Sequence, residues 1–323
     1  MKPRVVILAT GGTIAGKGEP GKDICYQSGS IPASELVEAV PGLSGIAEIK
    51  TEQICNLNSD DITGEIWIAL AQRINALTRE PDTDGFVVTH GTDTLEETAY
   101  FLNLTIKTEK PVVVTGAMRP ATSHAPDGPQ NLLLAVKAAA SSANRGKGVQ
   151  VAFAGRLIPA RAAVKRHTAA LDAITSDGTD QAGCTSGCTC TCGDGSGSRA
   201  HTTGTEFDIT AFKTLPRVAI LYFATDADPA MVEYAASNSD GIVVAGAGAG
   251  EFSLAWRSAL ERCIVPVVVS SRTGCGPVLQ ETMVCANAVA AGTLQPAKAA
   301  VLLRLALTKT RDTKELIRIF STY

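Results

Sequence analysis

A long aliphatic stretch near the start of the chain ends in two glycines and a threonine. Residues 5–10 read Val-Val-Ile-Leu-Ala-Thr, and Gly11, Gly12 and Thr13 follow directly. An unbroken apolar run rich in β-branched residues is typical of a strand buried on both faces of a parallel sheet. Ligands bind beyond the carboxyl ends of such strands, and glycine allows close backbone approach. Thr13 therefore stands where a site is expected.

Short apolar strands of the same kind recur along the chain and alternate with helical patterns. We predict further strands at 46–55, 85–90, 111–115, 149–154, 217–222, 241–245 and 265–270. We predict helices at 32–40, 62–78, 95–104, 131–142, 229–237, 253–262, 281–291, 296–307 and 312–320. This alternation indicates the α/β class, with a mostly parallel, doubly wound sheet.

One segment differs in composition from the rest of the chain. Residues 176–200 contain no aromatic or branched aliphatic residue, so they bury too little apolar surface to offset their ordering entropy. We therefore predict a linker at 176–215 between an N-terminal domain, 1–175, and a smaller α/β domain, 216–323. A metal site formed by the four cysteines in this linker is a second interpretation, although their spacing fits no usual zinc pattern. A local reading-frame error is the third interpretation.

Charge and hydropathy narrow the class of function. Of the 323 residues, 45% are hydrophobic and 19% are charged, and the net charge is −3. This balance argues against a nucleic-acid-binding protein or a basic membrane-surface protein. No apolar run reaches the ~18 residues that span a bilayer. The first strand begins so early that we expect no secretory segment and a cytoplasmic protein. If a signal peptide was removed from the sequence, a periplasmic location is the alternative.

The glycine-rich turn also comes close to two nucleotide-binding patterns. Gly11 and Gly16-Lys17 have the spacing of a phosphate-binding P-loop, but Gly18 occupies the position of the hydroxyl residue that holds magnesium. The dinucleotide pattern fails because Thr13 stands in place of its second glycine. Nucleotide binding stays open here as an alternative hypothesis.

Hydroxyl and acidic residues follow three of the predicted strands. They are Thr13, the Ser-Asp pair at 59–60 and the Thr-Asp pair at 92–93. Helix capping uses the same residue types and explains the pair at 59–60 when it is taken alone. Thr94 with Glu97 fits a capping box, which leaves the pair at 92–93 without a capping role.

A hydroxyl nucleophile needs a base, and none of the histidines lies in a sequence pattern typical of a catalytic base. None of the four fits a Ser-His-Asp chain order, and no Gly-x-Ser-x-Gly elbow is present. Lysine or tyrosine is the remaining type of base. Lys165 follows the fourth strand, although by composition alone it is more simply read as a surface lysine.

Two long stretches carry the most specific pattern in the sequence. They are Ile7-Leu-Ala-Thr-Gly-Gly-Thr-Ile-Ala-Gly16 and Val88-Thr-His-Gly-Thr-Asp-Thr-Leu-Glu-Glu-Thr-Ala-Tyr-Phe-Leu102. Both resemble the signature motifs of the bacterial-type L-asparaginase and glutaminase-asparaginase family, in the same order. Shorter similar stretches lie at 110–113, 116–120, 127–128, 270–272 and 292–294. The resemblance covers residues 4–175 and 201–323.

This resemblance implies an amidohydrolase that needs neither metal nor cofactor. The reaction it implies is hydrolysis of L-asparagine to L-aspartate and ammonia, with L-glutamine open as a co-substrate. Thr13 is implied as the nucleophile that forms an acyl-enzyme, and Tyr26 as the group that helps take its proton. Thr92, Asp93 and Lys165 are implied as a second catalytic group, in which the lysine eases deprotonation of Thr92.

Substrate-binding roles follow from the same resemblance. Ser59, with Asp60 beside it, is implied to bind the α-carboxylate of the substrate, and Asp93 its α-ammonium group. The backbone N–H groups near Thr92 and Ala117 are implied to receive the developing oxyanion. Stabilisation of that oxyanion is usually the main source of rate enhancement in acyl transfer.

The resemblance also implies a homotetramer in which a neighbouring subunit completes each site. Glu281 is the acid that the neighbour is implied to supply. Three features depart from the family pattern: Asp60 replaces Gln or Glu, Ala249 replaces an Asn or Ser of the neighbour, and 176–200 replaces ordered structure. A catalytically impaired homologue that binds small amino acids is therefore a second hypothesis.

Overall fold

The computed structural model describes residues 2–23, 26–178, 199–283, 285 and 287–323. Backbone contacts divide the chain into two units, Met1–Ser176 with His201–Ala211 and Asp177–Ala200 with Phe212–Tyr323. Most of the cysteine-rich segment, and with it the metal-site and reading-frame hypotheses, lies outside the described residues. The predicted domain boundaries remain predictions.

One six-stranded sheet forms the centre of the first unit. Its strands are β1 Arg4–Gly11, β2 Glu48–Leu57, β3 Gly85–Thr89, β4 Val112–Thr115, β5 Val149–Phe153 and β6 Arg156–Pro159. They lie in the order β2-β1-β3-β4-β5-β6, and only β6 is antiparallel to its neighbour. β7 Ala163–Lys165 and β8 Ile174–Ser176 form a separate antiparallel pair. The mostly parallel sheet confirms the predicted fold class.

Helices lie on both sides of this sheet, as its buried strands require. They are α1 Ala33–Glu38, α2 Leu43–Ile46, α3 Gly64–Thr78, α4 Leu95–Thr105 and α5 Gly128–Ala139. Val5 and Ile7 of β1 pack in one hydrophobic cluster with Val136 of α5. Their alternate neighbours Val6 and Leu8 are at most 3% exposed. The first strand is therefore buried on both faces, as its apolar run predicts.

The second unit contains a smaller, fully parallel sheet. Its strands are β9 Val218–Tyr222, β10 Gly241–Gly246, β11 Val267–Ser271 and β12 Ala288–Ala290, in the order β12-β11-β10-β9. Its helices are α6 Ala230–Asn238, α7 Leu254–Glu261, α8 Pro296–Ala306 and α9 Thr313–Thr322. The fully buried Trp256 is part of its core, so this unit has a hydrophobic core of its own.

The helix predicted at 281–291 is wrong. A short 3-10 turn, Gln280–Thr282, is followed by β12, in which Ala288 and Ala290 pair with Val267 and Val269 of β11. The alanines of this stretch favour a helix locally, but pairing with a fully buried neighbouring strand outweighs that preference.

Two expected side-chain caps are also wrong, although α4 begins at Leu95 as predicted. The pair at 59–60 does not cap α3, because Ser59–Asp61 form a separate 3-10 turn and Thr63 Oγ1 accepts from the Ile66 N–H at 3.4 Å instead. Thr94 is the N-cap of α4 but makes no side-chain cap. Its hydroxyl donates to the carbonyl of Ser59 at 2.6 Å, which joins the start of α4 to the turn at 59–61.

Candidate active site

Two glycine turns meet at the carboxyl ends of β1 and β3. The strands are parallel neighbours, so their following turns leave the same edge of the sheet. Gly12 has φ 79°, and a Cβ there would lie 2.3 Å from the backbone nitrogen of Gly91. An L-residue at this position would be strained and would clash with backbone. Glycine therefore lets Thr13 approach the turn at 91–93.

Thr13 is paired with a phenol from the long loop after β1. Its Oγ1 lies 2.8 Å from Tyr26 Oη. Lys17 and Gln27 exchange two backbone hydrogen bonds of 2.9 Å, which close the base of the loop. A Cβ on Gly16 would lie 2.8 Å from Tyr26 Cδ2, so the ring rests directly against this glycine. The loop base thus holds the phenol beside the Thr13 hydroxyl.

A second hydroxyl is paired with a lysine and an acid. Lys165 Nζ donates to Thr92 Oγ1 at 2.9 Å and to Asp93 Oδ1 at 2.5 Å. The backbone N–H of Lys165, on β7, donates to the Glu96 carboxylate at 2.6 Å. The Lys165 side chain is 15% exposed and Thr92 is 5% exposed. Lys165 is therefore held in the site rather than solvated as a surface lysine.

A small polar cavity of about 190 Å³ lies beside the Thr13–Tyr26 pair and Asp93, the acid that binds Lys165. Its lining includes Thr13, Tyr26, Ser59, Asp60 and Asp93. The buried Ser59 Oγ accepts the backbone N–H of Asp93 at 3.2 Å. This bond joins the turn after β2 to the turn after β3. Cavities for drug-sized ligands measure roughly 300–1,000 Å³, so this one suits a smaller molecule. The two carboxylates on its wall argue against a bound phosphate, and so against the nucleotide hypothesis.

The turn that contains Ala117 packs against Thr92. Ala117 is fully buried, and a Cβ on Gly116 would lie 3.3 Å from Thr92 Cγ2. The backbone N–H groups of the two residues after Ala117 each donate to the Asp127 carboxylate at 2.9 Å. Asp127 therefore fixes the turn whose backbone borders the second hydroxyl.

His90 is a buried residue next to the site that the sequence reasoning missed. It is fully buried directly after β3, with Nδ1 2.8 Å from the Gly91 carbonyl oxygen and Nε2 3.0 Å from Thr98 Oγ1. Burial lowers the pKa of this imidazole to about 4, so it is neutral at pH 7. Its place between a buried strand and a glycine turn was the signal that could have identified it.

The two candidates from a neighbouring subunit lie in the second unit. Glu281 is exposed in the turn Gln280–Thr282, and Ala249 is exposed in the tight turn between Ala247 and Glu251. Their predicted roles remain predictions. Within the described ranges, no group of three His, Cys, Asp or Glu side chains is placed to hold a metal ion.

The fold and the cavity define an α/β protein with a small polar site beyond the carboxyl ends of a parallel sheet. Two family descriptions match the sequence: "Asparaginase, N-terminal" over residues 4–190, and "Glutaminase/Asparaginase C-terminal domain" over residues 217–320. The chain belongs to the asparaginase family. The resemblance carried by the two long motifs is thereby confirmed.

Similar proteins match over nearly the whole chain. The probable periplasmic L-asparaginase of Haemophilus influenzae is 43% identical, over 99% of this chain and 93% of its own length. The glutaminase-asparaginase of Pseudomonas fluorescens biotype A is 38% identical, over 99% and 90%. The crystal structure of a probable cytoplasmic L-asparaginase from Campylobacter jejuni is 40% identical, has a TM-score of 0.90 and covers 100% of both chains.

The names of these relatives include two compartments, so the predicted cytoplasmic location remains a prediction. None of the helices in the described part of the chain has the length and apolar character needed to cross a membrane.

Proposed function

We propose that this chain hydrolyses L-asparagine to L-aspartate and ammonia through an acyl-enzyme on Thr13. The observation that carries the proposal is a pair of hydroxyl groups, Thr13 on the wall of a small polar cavity and Thr92, whose partner Lys165 also binds the cavity residue Asp93. One is hydrogen-bonded to Tyr26 and the other to Lys165. Membership of the asparaginase family and relatives named L-asparaginase support the choice of substrate.

In the first half-reaction, Thr13 Oγ1 attacks the carboxamide carbon and the C–N bond then breaks. The hydroxyl proton of Thr13 must end on the departing nitrogen, which leaves as ammonia. Tyr26 Oη, 2.8 Å away, can accept that proton and at the same time donate its own phenolic proton towards the departing nitrogen. A neutral His90, fully buried with both ring nitrogens in internal hydrogen bonds, is not needed for this transfer.

The tetrahedral intermediate carries a negative charge on the former amide oxygen. We assign the backbone N–H groups of Thr92 and Ala117 to this oxyanion. The packing of the Gly116 turn against Thr92, and the hold of Asp127 on the same turn, support a preorganised arrangement. Donors that are already oriented stabilise the developing charge without reorganisation at the moment of reaction.

In the second half-reaction, a water molecule attacks the ester carbon. Thr92 Oγ1 takes a proton from this water as its own hydroxyl proton passes to the leaving Thr13 oxygen. The ammonium group of Lys165, 2.9 Å from Thr92 Oγ1, stabilises the negative charge that develops there. The ester C–O bond breaks and Thr13 regains its proton. Asp93, 2.5 Å from the same ammonium group, keeps the lysine in place.

The α-carboxylate and the α-ammonium group of the substrate are assigned to different side chains of the cavity wall. The hydroxyl of Ser59 is assigned to the α-carboxylate, with Asp60 next to it on the cavity wall. The carboxylate of Asp93 is assigned to the α-ammonium group, to which it is electrostatically complementary. L-Glutamine, one methylene longer, is the second amide to compare, because some relatives are named glutaminase-asparaginase.

We also propose that the chain forms a homotetramer in which Glu281 of one subunit completes the site of another. Ala249 affects only this partner-supplied contact, whereas the five catalytic candidates Thr13, Tyr26, Thr92, Asp93 and Lys165 are all present. An active enzyme is therefore favoured over an impaired homologue.

Ammonia release from L-asparagine at millimolar and micromolar concentrations tests the proposal. We expect release by the wild type, partial activity of Thr13→Ser, which keeps a hydroxyl, and a loss of at least roughly a thousandfold in Thr13→Ala. Equal rates for wild type and Thr13→Ala would exclude Thr13 as the nucleophile. Tight L-aspartate binding with no ammonia release from either amide would instead support the impaired homologue.

A further inference from the structure

A chain of buried hydrogen bonds leads from the helix layer to the turn that follows β3. Trp67 Nε1 on α3 donates to Thr98 Oγ1 on α4 at 2.8 Å. Thr98 Oγ1 lies 3.0 Å from His90 Nε2, and His90 Nδ1 lies 2.8 Å from the carbonyl oxygen of Gly91. Trp67 is 5% exposed, and Thr98 and His90 are fully buried. None of these three side chains has a role in the proposed reaction.

The donor and acceptor capacity of each group in this series of hydrogen bonds determines the position of each proton. The Gly91 carbonyl can only accept, so His90 Nδ1 must carry a proton. An imidazolium would be a buried charge, and burial lowers the pKa of His90 to about 4. The ring is therefore neutral at pH 7, its Nε2 has no proton, and the Thr98 hydroxyl donates to it. The indole N–H of Trp67, which can only donate, occupies an acceptor site on Thr98 Oγ1.

The last acceptor in this series of hydrogen bonds, the Gly91 carbonyl, belongs to a peptide group with a proposed role in catalysis. The Gly91 carbonyl and the Thr92 N–H belong to the same planar, trans peptide unit, so they point in opposite directions. A hydrogen bond that holds the carbonyl therefore fixes the direction of the N–H. We infer that His90 is a positioning residue that holds the Gly91–Thr92 peptide so that the Thr92 N–H faces the oxyanion. This inference rests on the proposed function, in which that N–H is an oxyanion donor.

The effect of His90 should be greater on kcat than on KM. The far end of the same turn is held independently, because Ser59 Oγ accepts the Asp93 N–H at 3.2 Å and the Ser59 carbonyl accepts the Thr94 hydroxyl at 2.6 Å. Loss of the His90 contact therefore leaves the substrate-binding carboxylate of Asp93 in place. It releases the peptide whose N–H interacts with charge that is present only in the transition state.

Two measurements test this inference. The first is a long-range ¹⁵N–¹H spectrum of the ¹⁵N-histidine-labelled wild-type protein at pH 7, with the His90 signals assigned by their loss in His90→Asn. We expect a protonated Nδ1 and an unprotonated Nε2. The second compares Thr98→Val, which removes the hydroxyl at nearly constant volume, with Thr98→Ser, which keeps it. We expect kcat of the valine variant to fall roughly tenfold to a hundredfold with KM within about threefold, and the serine variant to stay within about threefold on both.

A wild-type His90 with its proton on Nε2, or with both nitrogens protonated, would overturn the inference without any variant. An unchanged kcat in a folded Thr98→Val protein would overturn it as well, because a purely structural role would change stability and not turnover. The predicted tautomer in a wild-type protein that releases no ammonia would count against the proposed function alone. Normal turnover with the opposite tautomer would count against His90 alone.

Discussion

Replacing Lys165 with methionine removes an ammonium group and keeps most of the side-chain stem. In the wild type this group donates to Thr92 Oγ1 at 2.9 Å and to Asp93 Oδ1 at 2.5 Å. The fold should tolerate the change, because the Asp93 side chain is 68% exposed and water can replace its partner. The expected effect is therefore on the reaction and not on folding.

Its magnitude follows from the loss of one charge-assisted hydrogen bond to Thr92. Such a bond contributes about 1.5–3 kcal/mol. At about 1.4 kcal/mol per factor of ten in rate, kcat should fall about tenfold to 150-fold. Because we assign the lysine to hydrolysis of the ester, the acylation step should be less affected than the return of free enzyme.

The assay is rapid-quench measurement of ammonia release from L-asparagine, in which the first turnover is compared with the steady state. We expect Lys165→Met to show a burst of ammonia close to one per site, followed by slow turnover. Lys50→Met is the matched control, since Lys50 pairs with Glu52 at 3.1 Å on the surface and should stay within about twofold of wild type. A Lys165→Met protein that is folded and turns over within twofold of wild type would refute the assignment.

Three further changes test other contacts of the first unit. Gly12→Ala places a Cβ 2.3 Å from the Gly91 nitrogen at φ 79°, so chemical denaturation should show a loss of about 2–5 kcal/mol, and activity should be lost with it. Asp127→Ala frees the Ala117 turn, and steady-state kinetics should show kcat lowered roughly tenfold with little change in KM. The hydrogen bond from Arg73 lowers the pKa of Glu52 to about 2 from about 4.5, so this pair stabilises the fold above pH 4.5 and loses that effect as the pH falls towards 2. Glu52→Gln should cost about 1 kcal/mol at pH 7, because the pair is partly exposed, and should flatten the acid limb of the stability curve.

Strands such as β1 and β3 could be predicted because their residues are apolar on both faces. Val5–Leu8 and residues 86–88 are nearly all fully buried, and runs of this kind have few other stable arrangements. The stretch at 288–290 could not be predicted as a strand, because nothing within it specifies one. It becomes a strand because β11 offers a parallel edge, which is a property of the whole unit rather than of the local sequence.

Hydroxyl residues at strand ends were harder to interpret, since capping and catalysis use the same residue types. The position of Thr94 predicts a cap, yet its hydroxyl donates to the carbonyl of Ser59. Lys165 read as a surface residue by composition and is instead held by Thr92 and Asp93, which are more than seventy positions away. Contacts over that separation follow from the fold and not from any local pattern.

Peptide mapping of acid-quenched enzyme tests the role of Thr13 as nucleophile most directly. Thr92→Val should slow hydrolysis of the ester while it leaves the Thr13 hydroxyl in place, so the acyl-enzyme should accumulate with L-asparagine. We predict an aspartyl ester on the peptide that contains Thr13, and none in Thr13→Ala. An ester on another residue, or continued ammonia release by Thr13→Ala, would contradict this role.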